Sequence, residues 1–236
     1  MVNSYSRVWF ELFLETRPYT EKEIAFIVRH LPNPPYRKVL DLCCGEGRHT
    51  NILAHKGYEM VGIDLDAKAL SIARREAGGA VTYLQQDMRE IERIPGRFDA
   101  VLSLWQSFGY FDETTNRSIL QKVSKKLSSG GRFILDIYNR AYWLRNQGVR
   151  WIERKGVKIR VENKMIGNRL RSSLEYDDGL GSDTFEWQLY TLDEIIADGR
   201  EFGLFVLLTC TEFNEEKPVA PDKPMMEIIF EKKSVS

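Results

Sequence analysis

Hydrophobic positions recur along this chain with two periods, and the switches between them mark the expected elements. Tyr5, Val8, Trp9, Leu12 and Phe13 fall at helical spacing, giving one aromatic face that something must cover. Ile24, Ile27, Val28 and Leu31 repeat that spacing behind a capping-box pattern, Thr20 with Glu23. The run "PNPPY" then breaks the second helix. Beyond it, short apolar runs suited to buried strands (38–42, 59–63, 81–85, 99–104 and 132–137) alternate with helix patterns at about 47–56, 67–77 and 113–128. Asp66 is placed to cap the middle helix. Asp112 is placed to cap the last, which Gly130 and Gly131 are expected to end. Strands that alternate with helices imply right-handed βαβ units and a parallel sheet covered on both faces.

Between about residues 150 and 190 the period changes to two. "VKIRV" and "TFEWQLY" alternate apolar with polar, and "GNRL" and "DDGLGSD" are turn signals, so short antiparallel strands are expected here. A second capping box, Thr191 with Glu194, opens a helix carrying Leu192, Ile195, Ile196 and Phe202 and stopping at Gly203. "LFVLLTC" and "MMEIIFE" follow as two closing strands, joined by a loop too short for a crossover helix and therefore antiparallel. The fold class is α/β: a doubly wound, mostly parallel sheet with helices on both faces and a small antiparallel β insertion.

Charge and composition narrow the partner. The chain has 236 residues, with Lys plus Arg equal to Asp plus Glu at 34 each, so no global positive field gathers nucleic acid or anionic membrane. No window reaches a membrane span and the N-terminus lacks the pattern of a signal peptide, so a cytoplasmic protein with a small-molecule partner is expected. The three cysteines, two of them adjacent, do not make a disulfide framework. No His pairs with Cys43 or Cys44 at metal-ligand spacing, so no metal is assigned and the two thiols are read as small residues in a cramped turn.

The candidate chemistry sits at "VLDLCCGEGRHT", where the first strand runs into a helix. In an open parallel sheet, ligands bind outside the carboxyl ends of the strands at the switch point. Gly45 and Gly47 let backbone approach a ligand, and the following helix offers free N–H groups to a carboxylate or phosphate. Asp64 ends the second strand, where an acceptor can take both hydroxyls of a ribose. Asp87 ends the third, where it can accept from an adenine amine, with Met88 as an apolar edge. Together these positions describe a nucleoside held across three strand ends. Nicotinamide and flavin binders share the first two features, but Thr50 replaces the third glycine of their fingerprint.

These residues resemble the class I S-adenosylmethionine-dependent methyltransferases: "LDLCCGEGRH" for the glycine-rich turn, "GIDLD" for the ribose acid, "QQDM" for the adenine segment, "FDAVLSLWQSFGYF" for the fourth strand, and a closing helix ahead of an antiparallel seventh strand. Cys43 stands where many members have glycine. The resemblance implies a seven-stranded Rossmann-like methyltransferase fold in a single domain, 1–236. Within it are expected an N-terminal helical lid (1–32) folding over the cofactor cleft, a cofactor-binding core (33–148), an antiparallel insertion (149–190) and a closing helix with two strands (191–236). It implies S-adenosylmethionine as cofactor, held by Asp41, Cys43, Gly45, Gly47, Arg48, Asp64, Leu65, Asp87, Met88, Leu104 and Trp105. Direct in-line transfer to N or O of a small-molecule acceptor is expected, with Tyr110 and Tyr138 as the polar groups nearest the methyl. Ser107, Asn139 and Trp151 are further candidates for the acceptor side. Two alternatives stay open: a nicotinamide-dependent oxidoreductase, which would need a parallel sixth strand, and a nucleoside-binding subunit without turnover. The sequence leaves the oligomeric state open.

Overall fold

The computed structural model describes residues 5–13 and 20–233. Two helices, α1 (Arg7–Phe13) and α2 (Thr20–His30), precede the sheet. Then follow β1 (Lys38–Leu42), α3 (Arg48–His55), β2 (Glu59–Asp64), α4 (Ala67–Arg75), β3 (Val81–Gln85), a 3-10 turn at Met88–Arg93, β4 (Phe98–Ser103), α5 (Glu113–Lys126) and β5 (Leu127–Tyr138). A short α6 (Arg140–Arg145) leads into β6 (Gly148–Arg154), β7 (Val157–Ile166), β8 (Arg169–Tyr176) and β9 (Gly181–Gln188). The chain closes with α7 (Leu192–Glu201), β10 (Leu204–Cys210) and β11 (Met225–Lys232). Among the described residues no helix is long and apolar enough to cross a membrane.

The main sheet has seven strands in the order β10-β11-β5-β4-β1-β2-β3, and a separate four-stranded sheet runs β6-β7-β8-β9. β1 pairs in parallel with both β2 and β4, so the order reverses at β1 and the switch point lies at its carboxyl end. β11 pairs antiparallel with both β5 and β10, as expected for the closing strands. β1, β4 and the carboxyl half of β5 are almost fully buried because apolar side chains leave both faces. Leu40, Leu42 and Val101 point into the layer that holds α5 and β11's Phe230, while Val39, Ala100 and Leu102 point into the layer under α2 and α3.

The inserted sheet has its own apolar cluster, built by Ile159, Val161, Leu170, Leu174, Phe185 and Trp187 from one face of β7, β8 and β9. It is tied to the main sheet at Gly109, whose carbonyl accepts from Gln188 N at 2.7 Å. Gly109 has φ +104°, and a Cβ there would lie 2.5 Å from the Gln188 carbonyl oxygen, so this approach requires glycine.

Two local expectations are corrected. First, α5 ends at Lys126 rather than at Gly130 and Gly131, because fully buried Leu127 turns extended (φ −71°, ψ 140°) and pairs with Phe98, carrying both glycines into β5. Second, Thr20 and Glu23 form no capping box: Thr20 is helical and both oxygens of Glu23 are engaged elsewhere. The aromatic face of α1, whose cover the sequence leaves open, packs on the inserted sheet. Tyr5 stacks on Phe185 at 4.6 Å, and Ser6 binds Asp183 through its hydroxyl (2.6 Å) and its N–H (3.1 Å). Residues 1–4 and 14–19 of the expected lid (1–32) lie outside the described residues.

Candidate functional site

The glycine turn is held by Asp64. One of its carboxylate oxygens accepts from Gly45 N and the other from Asp66 N, each at 2.9 Å, while Asp66 itself caps α4 through Lys68 N and Ala69 N. Burial pushes the Asp64 carboxyl above its ordinary value, so further hydroxyl donors would be welcome there. The two glycines differ. A Cβ on Gly45 would meet nothing within 4 Å, whereas one on Gly47 would lie 2.3 Å from Tyr83 Oη and 2.9 Å from Ala73 Cβ. Gly45 therefore leaves its backbone open on the cavity side, and Gly47 instead lets α3 pack against β3 and α4.

Beneath the turn, buried Asp41 accepts from Thr50 Oγ1 at 2.6 Å, and its burial pushes the carboxyl up to about 7. Cys43 adopts φ 57° and places its sulfur 3.6 Å from Met88 Sδ. Burial pushes both the Cys43 and Cys44 thiols up, which suits packing groups rather than nucleophiles. Among the described residues no group of three or more His, Cys, Asp or Glu converges as a metal-ligand set.

A buried carboxylate ties α2 to this turn. Glu23 is 2% exposed; its Oε2 accepts from Arg48 Nη1 (2.6 Å) and His49 Nε2 (2.8 Å), and its Oε1 from Trp105 Nε1 (2.9 Å). Burial alone would raise this carboxyl, but the His49 hydrogen bond, the charges of His49 and Arg48, and the Trp105 hydrogen bond together hold it near 2. The Arg48 guanidinium also lies 4.9 Å from the Trp105 ring centroid. Trp105 is held in the left-handed region (φ 56°) by its N–H, which donates to Asp136 Oδ2 at 2.8 Å. Leu104 packs beneath it.

Asp41, Cys43, Gly45, Arg48, His49, Asp64 and Trp105 line one cavity of about 720 Å³ that continues under the inserted sheet. Of the expected cofactor residues, Asp41, Cys43, Gly45, Arg48, Asp64, Leu65, Asp87, Met88, Leu104 and Trp105 border it; Gly47 does not. Asp87 is partly occupied, since it caps the 3-10 turn through Arg89 N (2.8 Å) and is clamped by the Arg89 guanidinium, whose hydrogen bond holds the carboxyl below its usual range.

Tyr110 and Tyr138 both border the cavity, joined by Ser107. Tyr110 shares a hydrogen bond of 3.2 Å with Tyr5 across the α1 contact, and Gln106 Nε2 donates to Tyr138 Oη at 3.1 Å. Burial pushes both phenols up, and Tyr5 to about 12, so near neutral pH they orient and donate rather than abstract protons. Two other expected acceptor residues lie elsewhere. Trp151 is 62% exposed on β6, with the opposite parity to the cavity-facing Arg150 and Ile152. Asn139 caps α6 and binds the carbonyls of Ala220 and Lys223. The far wall comes instead from Trp143, Trp187, Phe185 and Asn163, which the sequence reading passed over. The signal for Asn163 is present, since it continues the alternation of "VKIRV" two residues beyond Val161 and so keeps the inward parity.

A family model described as a methyltransferase domain matches residues 39–131. The uncharacterized methyltransferase sll0829 of Synechocystis is 36% identical over 120 residues, covering 50% of this chain and 55% of that protein. A glycine/sarcosine N-methyltransferase of Aphanothece halophytica is 28% identical over 192 residues, 79% of this chain and 69% of that one. The chain spans about half the length of the first curated relatives it matches. Among solved structures, an S-adenosylmethionine-dependent methyltransferase from Clostridium acetobutylicum superposes with a TM-score of 0.80 at 20% identity, covering 96% of this chain and 97% of that one.

Proposed function

We propose that the chain is a class I S-adenosylmethionine-dependent methyltransferase that methylates a nitrogen or oxygen of a small molecule bound beneath the inserted sheet. The observation that carries this reading is the continuity of the cavity, from the strand-end acids and the open backbone of Gly45 to the aromatic wall of β9. The residues fit the cofactor. Asp64, drawn out of water and bordering the cavity, suits the ribose hydroxyls; Arg48 and the N-terminus of α3 suit the carboxylate; Met88 and Leu65 suit the adenine faces.

When bound, this cofactor supplies an electrophilic methyl group. The chain's own part is to hold, orient and dry. Glu23 fixes Arg48 and Trp105, the Asp136 hydrogen bond fixes the Trp105 backbone, and α1 closes the cavity through Tyr5, Trp9 and Phe13. Protonated Tyr110 and Tyr138 orient a neutral acceptor lone pair. Positioning of this kind contributes on the order of 7–11 kcal/mol in well-aligned reactions. The antiparallel β11 beside β5 argues against a nicotinamide oxidoreductase, which would place a parallel strand there.

Titration calorimetry with S-adenosylhomocysteine and NAD tests the reading. S-adenosylhomocysteine should bind, and Asp64→Asn should weaken it by roughly 1–3 kcal/mol, the cost of losing charged hydroxyl partners. Binding of NAD without S-adenosylhomocysteine would overturn it, as would an Asp64→Asn protein that binds S-adenosylhomocysteine as well as the parent.

A further inference from the structure

The far end of the cavity holds polar groups with nothing to bind. Asn163 is 2% exposed, and neither its amide nitrogen nor its amide oxygen has a partner among the described residues. The indole N–H groups of Trp143 and Trp187, residues 7% and 4% exposed, are likewise unpartnered. Nine in ten or more buried polar groups in folded proteins are satisfied, because an orphaned one costs free energy without return. All three residues line the same cavity, so a single occupant can satisfy them together. Ser172, the cross-strand partner of Asn163, lines it too and adds a hydroxyl.

Charge divides the cavity in two. Its acids, Asp41, Glu46, Asp64, Asp66 and Asp87, all lie at the glycine-turn end. The end under the inserted sheet contains Arg150 and Arg154 and no lining carboxylate. Asp183, the inward acid of β9, is used up by Ser6 and by Tyr176 Oη at 2.6 Å. Arg150 forms no ion pair among the described residues and stands 5.9 Å from the ring centroid of Trp143. An ammonium entering this end would meet cations and no counterion.

Resting on the transferase reading, we infer that the methyl acceptor is a neutral or anionic compound with a flat apolar body, anchored by hydrogen bonds to Asn163 and Ser172 and turning its anionic group toward Arg150. Trp143, Trp187 and Phe185 provide the aromatic walls. Tyr138 meets the two tryptophans edge-on at 5.0 and 5.2 Å, which fixes the slot's width.

The test uses the full chain saturated with S-adenosylhomocysteine and two probes with one ring and opposite charges, para-hydroxybenzoate and tyramine. Calorimetry should show para-hydroxybenzoate binding about tenfold more tightly or better, consistent with charge pairing in a partly dry site. Asn163→Leu replaces an unsatisfied amide by an apolar group, so the ligand-free melting temperature should hold or rise while affinity for S-adenosylhomocysteine is kept. Its affinity for para-hydroxybenzoate should fall by roughly tenfold or more. Arg150→Gln, at an exposed position, should reduce para-hydroxybenzoate binding and leave tyramine binding equal or tighter, since the substitution removes a like charge. The inference is overturned if tyramine binds as well as or better than para-hydroxybenzoate, if neither binds, or if Asn163→Leu melts several degrees lower, which would make the amide structural. Should Asn163→Leu fail to fold, the Arg150→Gln contrast decides alone. A wild-type protein that does not bind S-adenosylhomocysteine at all refutes the transferase reading itself.

Discussion

Glu23→Gln should be the single most informative change at the junction of α2 and the glycine turn. The substitution keeps shape and removes charge from a 2%-exposed group that accepts from Arg48, His49 and Trp105. In the folded protein the carboxyl is held near 2, against an ordinary 4.5. At about 1.36 kcal/mol per tenfold, this corresponds to on the order of 3 kcal/mol of stability, similar to the cost of breaking a buried ion pair. Because the folded value is depressed, that contribution is complete above about pH 4.5 and is lost as pH falls toward 2. For a chain of this length, 1 kcal/mol moves the melting temperature by about 2–4 °C, so Glu23→Gln should melt about 6–12 °C lower at pH 7. The gap should close as the parent is titrated toward pH 2. S-adenosylhomocysteine affinity should fall as well, since Arg48 and Trp105 both border the cavity. Thermal melts across pH, paired with calorimetry at pH 7, make the measurement. A melting shift under about 2 °C at pH 7, or a gap that does not change with pH, would refute the electrostatic account of this junction.

Gly47→Ala should cost about 2–4 kcal/mol, because its Cβ collides with Tyr83 Oη and Ala73 Cβ at a residue with φ +78°, whereas Gly45→Ala, with open space around it but φ +55°, should cost only about 1–2 kcal/mol of backbone strain and mainly impair cofactor binding. Comparable melting losses in the two variants would show that Gly45 is also a packing residue. Cys43 and Cys44, their thiols pushed up by burial, should resist iodoacetamide at pH 8 in the folded protein and react on unfolding. Rapid native-state alkylation with loss of S-adenosylhomocysteine binding would make one of them reactive.

The legible features of this chain are those whose causes are local. Strand β1 coincides with the apolar run 38–42, because a buried strand needs continuous hydrophobicity and little else, and the edge strand β3 coincides with 81–85 with Tyr83 as its buried residue. The caps of Asp66, Asp112 and Thr191 were readable because each binds an N–H within three residues. Where local chemistry offers one role and tertiary contact another, the sequence misleads. Glu23 has the right spacing for a capping box, yet its partners come from 25, 26 and 82 positions away. Gly130 and Gly131 look like a helix stop, but burying Leu127 against Phe98 starts the strand sooner. The glycine-turn end of the cavity was legible as a place, since the turn after β1 and the acids at the ends of β2 and β3 are each set by their own strand's end. The end under the inserted sheet is not of that kind. It is assembled from α1, α6 and the four strands of a second sheet, so no single segment carries its pattern, and an aromatic such as Trp151 sits one residue out of the register that would have turned it inward. In an alternating strand that parity decides which side chains meet a ligand, and Asn163, two residues beyond Val161, is the polar residue that the parity of β7 turns toward the cavity.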